Sequence, residues 1–187
     1  MLVVLECISE CFWWFSVGKS LNTRSFHARR HNSLLFVEEL GERAVIFTLN
    51  NLRNLAKTYL EIYGDEFFYI EYERGYRLGL LRFHNAFSSI KDPVKRLKKI
   101  LEFSEWAGAW HIVEWKFDPK TVSGYAIVKN SYWAEALKPS KRPVCHNLAG
   151  YLAAVIGSAY GLELEAEEVE CEAKGDKRCY FIIRAIG

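Results

Sequence analysis

Three of the chain's five cysteines, Cys145, Cys171 and Cys179, lie near the C-terminus beside an acidic run from Glu163 to Glu172. Thiolate sulfur with one carboxylate or imidazole is the donor set that a four-coordinate zinc ion prefers. The stretch from Glu170 to Phe181 turns at Gly175-Asp176, so residues whose numbers sum to about 350 should face one another, and Cys171 and Cys179 meet that condition. Cys145 precedes an apolar helix and would bring a third sulfur. A cross-strand disulfide and a set of buried free thiols are the two competing readings. The odd cysteine count and the absence of positive charge before the first apolar run favour a reducing, cytoplasmic setting, where clustered thiols more often hold metal. Spacing leaves the fourth donor open among the carboxylates and His146. Glu168 lies three residues before Cys171, and an odd offset places side chains on opposite faces of a regular strand, so its use requires a bulge or an irregular strand entry.

The segment Cys145-His146-Asn147-Leu148-Ala149-Gly150-Tyr151-Leu152-Ala153-Ala154-Val155-Ile156-Gly157, followed by Glu168-Val169-Glu170-Cys171 and Gly175-Asp176-Lys177-Arg178-Cys179, resembles a family signature. It is that of the 4-vinyl reductase domain, which also forms the sensor part of phenol-responsive transcription activators. The pattern is a Cys, a Gly-containing apolar helix, Glu-x-x-Cys and a Gly-Asp turn before a last Cys. Weaker similarity runs back through Asn130-Ser131 and Trp106-Ala107-Gly108 to about Glu42. The resemblance implies a structural zinc ion held by Cys145, Glu168, Cys171 and Cys179, and so selects Glu168 where geometry does not. It implies an α+β fold, with helices packed on a central antiparallel sheet and a zinc-bound C-terminal lobe, shared with nitric-oxide-sensing haem domains and certain vesicle-tethering subunits. It also implies pairing into a homodimer and a pocket for a small apolar or aromatic molecule between helices and central strands. Trp110, His111, Trp115, Tyr125, Ile127 and Trp133 are the lining candidates, with His111 placed on the face of Val113 and Trp115. The chain is shorter than the phenol sensors between Ser131 and Cys145, a departure that counts against phenol itself as the ligand.

The elements that must position these residues follow from pattern. Ala44 to Phe47 reads as a strand. Leu49, Leu52, Leu55, Ala56, Tyr59, Leu60 and Tyr63 form a helical stripe that stops at Gly64. A second helix runs from the Asp65 cap toward Phe87, with Gly75 and Gly79 spaced for close approach of another backbone or a ligand. Asp92-Pro93 starts a third, turning Leu97, Ile100, Leu101 and Trp106 inward. Trp110–Phe117 and Val122–Lys129 flank the turn Asp118-Pro119-Lys120 as a hairpin. After a short segment from Ser131 to Leu137, the helix from about Pro143 to Tyr160 is expected to cover the sheet with one face, ahead of the terminal hairpin.

At 187 residues and 50% hydrophobic composition the chain has the size of one well-packed domain. Residues 1–31 are read as an N-terminal apolar helix, suited to a dimer contact, with a short basic linker of Arg24, His27, Arg29, Arg30 and His31; residues 32–187 are the ligand-binding domain. Glu6 and Glu10 interrupt the apolar stretch, so no membrane span is expected. A formal net charge of +2 gives no nucleic-acid footprint. Phosphate-loop, dinucleotide, nucleophile-elbow and zinc-protease motifs are all missing. A zinc ion with four protein ligands also keeps no position open for water or substrate. The reading is therefore a non-enzymatic binding or sensor domain whose output passes through another protein. The alternatives are a scaffold or assembly subunit, and an accessory to reduction of a tetrapyrrole vinyl group.

Overall fold

The computed structural model describes residues 26–31, 34–38 and 40–187. The N-terminal apolar stretch, with Cys7 and Cys11, lies outside them. The chain divides into two compact units, Met1–Val45 and Ile46–Gly187. In the first, β1 (Ala28–His31), β2 (Leu34–Val37) and β3 (Glu42–Ala44) form an antiparallel meander in that order. Arg29 pairs with Phe36 and Leu35 with Ala44, and the Arg29 guanidinium reaches Glu38 at 3.3 Å. Ala28–His31 is thus a strand where a basic linker was expected. Its ladder partners are supplied by β2, and the sequence Ala-Arg-Arg-His has no apolar alternation to announce it. The strand expected over Ala44–Phe47 stops at Ala44.

The second unit begins with three helices: α1 (Leu49–Tyr63), α2 (Glu66–Asn85) and α3 (Pro93–Trp106). Thr48 starts α1 by accepting from Asn51 N at 3.2 Å, while Asn51 Oδ1 accepts from Thr48 N at 3.3 Å, two otherwise orphaned donors closed reciprocally. Gly64, at φ 56°, ends it. Asp92 caps α3 by accepting from Lys95 N at 2.9 Å, with Pro93 in the first turn. Then come β4 (His111–Asp118), β5 (Ser123–Lys129), α4 (Tyr132–Leu137), α5 (His146–Tyr160), β6 (Leu164–Glu170) and β7 (Cys179–Ala185). A single 3-10 turn, Glu172–Lys174, joins β6 to β7. The sheet is antiparallel in the order β4-β5-β7-β6, and the fold is α+β, as expected.

Helix α5 is the centre of this unit. Every residue from Asn147 to Gly157 is buried, rather than one face only, because β6 packs on one side of it and α2 and α3 on others. The sheet meets it with Ala126, Val128, Phe181, Ile183, Leu164 and Ala166, all buried, and turns Tyr125, Ile127, Tyr180 and Ile182 to its opposite face. On the α2 side, glycines remove the Cβ layer. A Cβ on Gly75 would sit 1.9 Å from the Asn147 carbonyl oxygen, and one on Gly150 would sit 2.1 Å from the Tyr72 carbonyl oxygen. Backbone therefore meets backbone, the close approach for which the Gly75/Gly79 spacing allows.

Gly75→Ala and Gly150→Ala should each cost roughly 3 kcal/mol in chemical denaturation, because neither obstructing atom lies on a flexible side chain. Gly161→Ala is the contrast. Its φ of 68° is strained for an L residue but nothing lies within 4 Å of the added carbon, so about 1 kcal/mol is expected.

Candidate metal centre and ligand site

Four donors converge where the N-terminal end of α5 meets the β6–β7 connection. Cys145 occupies the residue before α5, Cys171 follows β6, Cys179 opens β7, and Glu168 lies on the helix-facing side of β6. The strand register passes from Glu168 opposite Phe181 to Glu170 opposite Tyr180, so Val169 is an extra residue. This bulge is the irregularity that the odd Glu168–Cys171 offset required. All four residues are buried, and one ligand atom from each lies within 4.8 Å of the others. Cys145 Sγ is 3.8 Å from Cys179 Sγ and 4.0 Å from Cys171 Sγ, and all three thiols are free. Sulfurs about 2.3 Å from a tetrahedral zinc ion stand about 3.8 Å apart, so the spacing fits.

The cluster is electrostatically loaded. Burial raises Cys145 well above the usual thiol range. Cys171 is driven far down by hydrogen bonds from Cys145 and Cys179, so it is the sulfur that carries the charge. Burial, and next the charge on Cys171, push Glu168 up to about 8, although its Oε2 accepts the Cys145 backbone N–H at 2.8 Å. Glu168 Oε1 is buried without a hydrogen-bond partner, which leaves a lone pair open to a further donor or a cation. The nearby cations are engaged elsewhere: Lys174 with Asp176 at 3.3 Å and Arg178 with Glu170 at 2.8 Å. His146, the competing donor, instead packs its ring against Phe68 at 4.9 Å between centroids. Two supporting residues have no ligand-type spacing to reveal them. Buried Ser131 holds its hydroxyl 3.3 Å from Cys145 Sγ, and Asp176 Oδ2 accepts from Cys171 N at 2.8 Å across the turn.

The six ligand candidates do not share one cavity. Trp110 and Trp133 are buried, Trp133 edge-on to Phe67 at 6.0 Å and Trp110 stacked on Tyr132 at 6.4 Å and edge-on to Tyr151 at 5.4 Å. Both indole Nε1 atoms lack a hydrogen-bond partner, although Trp133 is close enough to act on the Tyr132 hydroxyl. Burial lifts that hydroxyl to about 12, and it donates to Asn147 Oδ1 at 3.3 Å. Tyr132 also lines a cleft of about 510 Å³ with Leu49, Leu52, Ala109 and Asn130. Tyr125 and Ile127 belong to the opposite sheet face, where Tyr125 donates to Glu114 Oε1 at 2.6 Å and stacks on Tyr180 at 5.8 Å. His111, Nδ1 to Glu105 Oε1 at 2.5 Å, is not on the face of Trp115 as expected. A bulge at Val113 shifts the register between Ile112 and Glu114 and exchanges the faces.

Residues 125–185 match the V4R domain, the 4-vinyl reductase domain recognised from sequence. No curated protein matches the chain. The phenol-responsive sensory domain of the transcription activator PoxR, solved with phenol, superposes with a TM-score of 0.69 at 15% identity, over 84% of each chain. An H-NOX protein from S. oneidensis gives 0.51 at 15% identity over 78% of this chain and 80% of its own. A vinyl-4-reductase family protein from Methanocaldococcus jannaschii gives 0.49 at 15% identity over 77% and 85%. The sensory domain and the H-NOX protein share this chain's fold, the latter as the resemblance implied.

Asp176→Ala should release the Cys171 amide and speed its hydrogen exchange roughly tenfold. The Asp176 carboxyl is held below its usual range, first by that amide. Its contribution is therefore present above about pH 4 and lost as pH falls through the lowered value, so variant and parent should converge in acid.

Proposed function

We propose that the chain is a zinc-stabilised, non-enzymatic sensor domain that binds a small apolar or aromatic molecule and works as a homodimer in the cytoplasm. The observation that carries the ligand reading is the pair of buried indole N–H groups on Trp110 and Trp133, two donors without acceptors beside the Tyr132 cleft. A buried unpaired donor costs about 1–3 kcal/mol, which an acceptor on a bound molecule would recover. Apolar rings around the donors then favour an aromatic hydroxyl or carbonyl compound, in keeping with the fold of the phenol-responsive sensory domain. Trp115, Tyr125, Ile127 and His111 are not among the residues lining the Tyr132 cleft.

Cys145, Glu168, Cys171 and Cys179 are the proposed zinc ligands, supported by their burial and spacing. The ion would supply the positive charge that the cluster lacks. The free thiols suit a reducing compartment. For pairing, α1 and α2 leave Ile62, Tyr69, Ile70 and Leu81 exposed, an apolar surface of the kind that marks a contact between proteins. Residues 1–31 are proposed as a further contact segment ahead of the ligand-binding domain from 32 to 187, and the downstream partner as a protein.

Elemental analysis should give about one zinc per chain, and Cys171→Ser or Cys179→Ser should cost about 5 kcal/mol or more, because metal binding is folding free energy at such a site. Loading must displace the protons raised onto Cys145, Cys179 and Glu168, so about three protons should appear in unbuffered titration near pH 7. Affinity should accordingly rise with pH; a pH-independent affinity would overturn the assignment. For the ligand, phenols should shift tryptophan emission saturably and raise the melting temperature. Trp110→Phe or Trp133→Phe keeps a ring but deletes the donor, and should weaken phenols roughly tenfold while leaving alkylbenzenes unchanged. A screen in which neither class binds would favour the scaffold reading.

A further inference from the structure

Serine is among the best residues for the position before a helix, because its hydroxyl oxygen can accept one of the orphaned amides of the first turn. Ser131 holds that position ahead of α4, is 1% exposed, and makes no such bond. Its Oγ stands 3.3 Å from Cys145 Sγ instead. The start of α4 is thus tied to the metal-type cluster by the side chain that would ordinarily cap the helix itself.

Helix α4 depends on ties of this kind. Its six residues, Tyr132–Leu137, are too few to be stable as an isolated helix. Tyr132 N donates to the Ala109 carbonyl oxygen at 3.1 Å, and Arg53 Nε of α1 donates to the Ala136 carbonyl oxygen at 2.9 Å. On the cluster side α4 packs against the 3-10 turn Glu172–Lys174, and just beyond the helix Ser140 N donates to the Ala173 carbonyl oxygen at 2.8 Å. That turn lies between Cys171 and Cys179, so two of the metal-type donors bracket the surface on which α4 rests. The third sulfur, on Cys145, is the one that Ser131 touches.

The residues that α4 carries are those of the proposed ligand site. Tyr132 follows Ser131 directly and lines the cleft. Trp133 comes next, with its indole Nε1 buried and without a partner. Three consecutive residues therefore reach the cluster, the cleft and an indole donor in turn.

We infer that Ser131 is a positioning residue through which the metal cluster sets the ligand site, so that affinity for an aromatic ligand depends on the metal and affinity for the metal depends on the ligand. The inference rests on the metal and ligand readings above. Gathering Cys145, Cys171 and Cys179 round one ion fixes both the sulfur that Ser131 contacts and the turn on which α4 packs. Tyr132 and Trp133 are held with them, and a ligand at Trp133 meets a donor already in place. Two sites coupled in this way act on each other's affinity by the same factor.

The test uses the full chain, with zinc, cobalt(II) and phenol as probes. Zinc affinity, measured by competition with a chromophoric chelator, should rise roughly tenfold in saturating phenol, and phenol affinity should rise by the same factor on zinc loading. Ser131→Ala keeps every metal ligand and both indoles, so it should still take up about one zinc per chain, yet bind zinc equally with and without phenol. Cobalt(II) in the same site reports on the sulfurs directly, because thiolate-to-cobalt absorption responds to a hydrogen bond on the thiolate. That absorption should shift when phenol is added to the parent chain and stay fixed in Ser131→Ala. Phenol binding itself is read separately, from tryptophan emission. Bound phenol that leaves zinc affinity and cobalt absorption unchanged in the parent chain, or a response that survives in Ser131→Ala, would overturn the inference and leave both readings standing. Unchanged emission in phenol would overturn the ligand reading, failure to take up metal would overturn the metal reading, and either result would overturn this inference with it.

Discussion

Helix α5 can occupy the centre of the unit only because backbone, and not side chain, separates it from α2. Where the Gly75 Cα meets the Asn147 carbonyl and the Gly150 Cα meets the Tyr72 carbonyl, there is no room for a methyl group. That approach seats α5 between α2 and the sheet, so a helix with almost no polar residue after Asn147 finds apolar surface on every side. Its N-terminal end is then fixed in two ways. Asn147 Nδ2 donates to the Glu71 carbonyl oxygen at 3.1 Å, and the Cys145 backbone N–H donates to Glu168. The metal-type cluster lies at the point where this helix end, the β6 bulge and the first residue of β7 meet, and it depends on all three.

The same arrangement sets an electrostatic problem. Three thiols and a carboxylate share a buried volume, while the neighbouring Lys174 and Arg178 are paired with other carboxylates. Without a cation only one of the four can hold a charge cheaply, which is why Cys171 is driven down while Cys145 and Glu168 are driven up. A buried set of acids with no base among them contributes little to a fold by itself, since each desolvated group opposes ionisation of the next. The orphaned Glu168 Oε1 and the sulfur separations are what a bound dication would turn from a cost into coordination bonds.

Local chemistry made most of the helices legible. Gly64 and Asp92-Pro93 act through backbone conformation and capping, which need no tertiary context, and both ends fall where the sequence places them. The thiols were legible as donors, but Glu168 was not separable from its neighbouring carboxylates by spacing, because the offset that disfavours it is undone by a bulge that forms only when β6 pairs with β7. The face of His111 on β4 was not legible for the same kind of reason. Alternation along β4 puts His111, Val113 and Trp115 together only if the strand is regular, and the Val113 bulge reverses the phase midway. Strands β1 and β2 were missed because pairing, not amphipathic pattern, makes them. Ser131 and Asp176 act through hydrogen bonds made across the fold, which no local spacing encodes.

The Tyr132 cleft and the metal-type cluster meet at the N-terminal end of α5. The Tyr132 hydroxyl, flanked by Trp110 and Trp133, donates to Asn147, and Asn147 in turn binds the carbonyl of Glu71, whose carboxylate is held by Arg74 at 2.7 Å. The Arg74 guanidinium lies 5.9 Å from the centre of the Trp133 ring, closing the circuit. Asn147 thus ties the Tyr132 hydroxyl to the first turn of α5, two residues from Cys145, where α5 abuts α2 through backbone atoms.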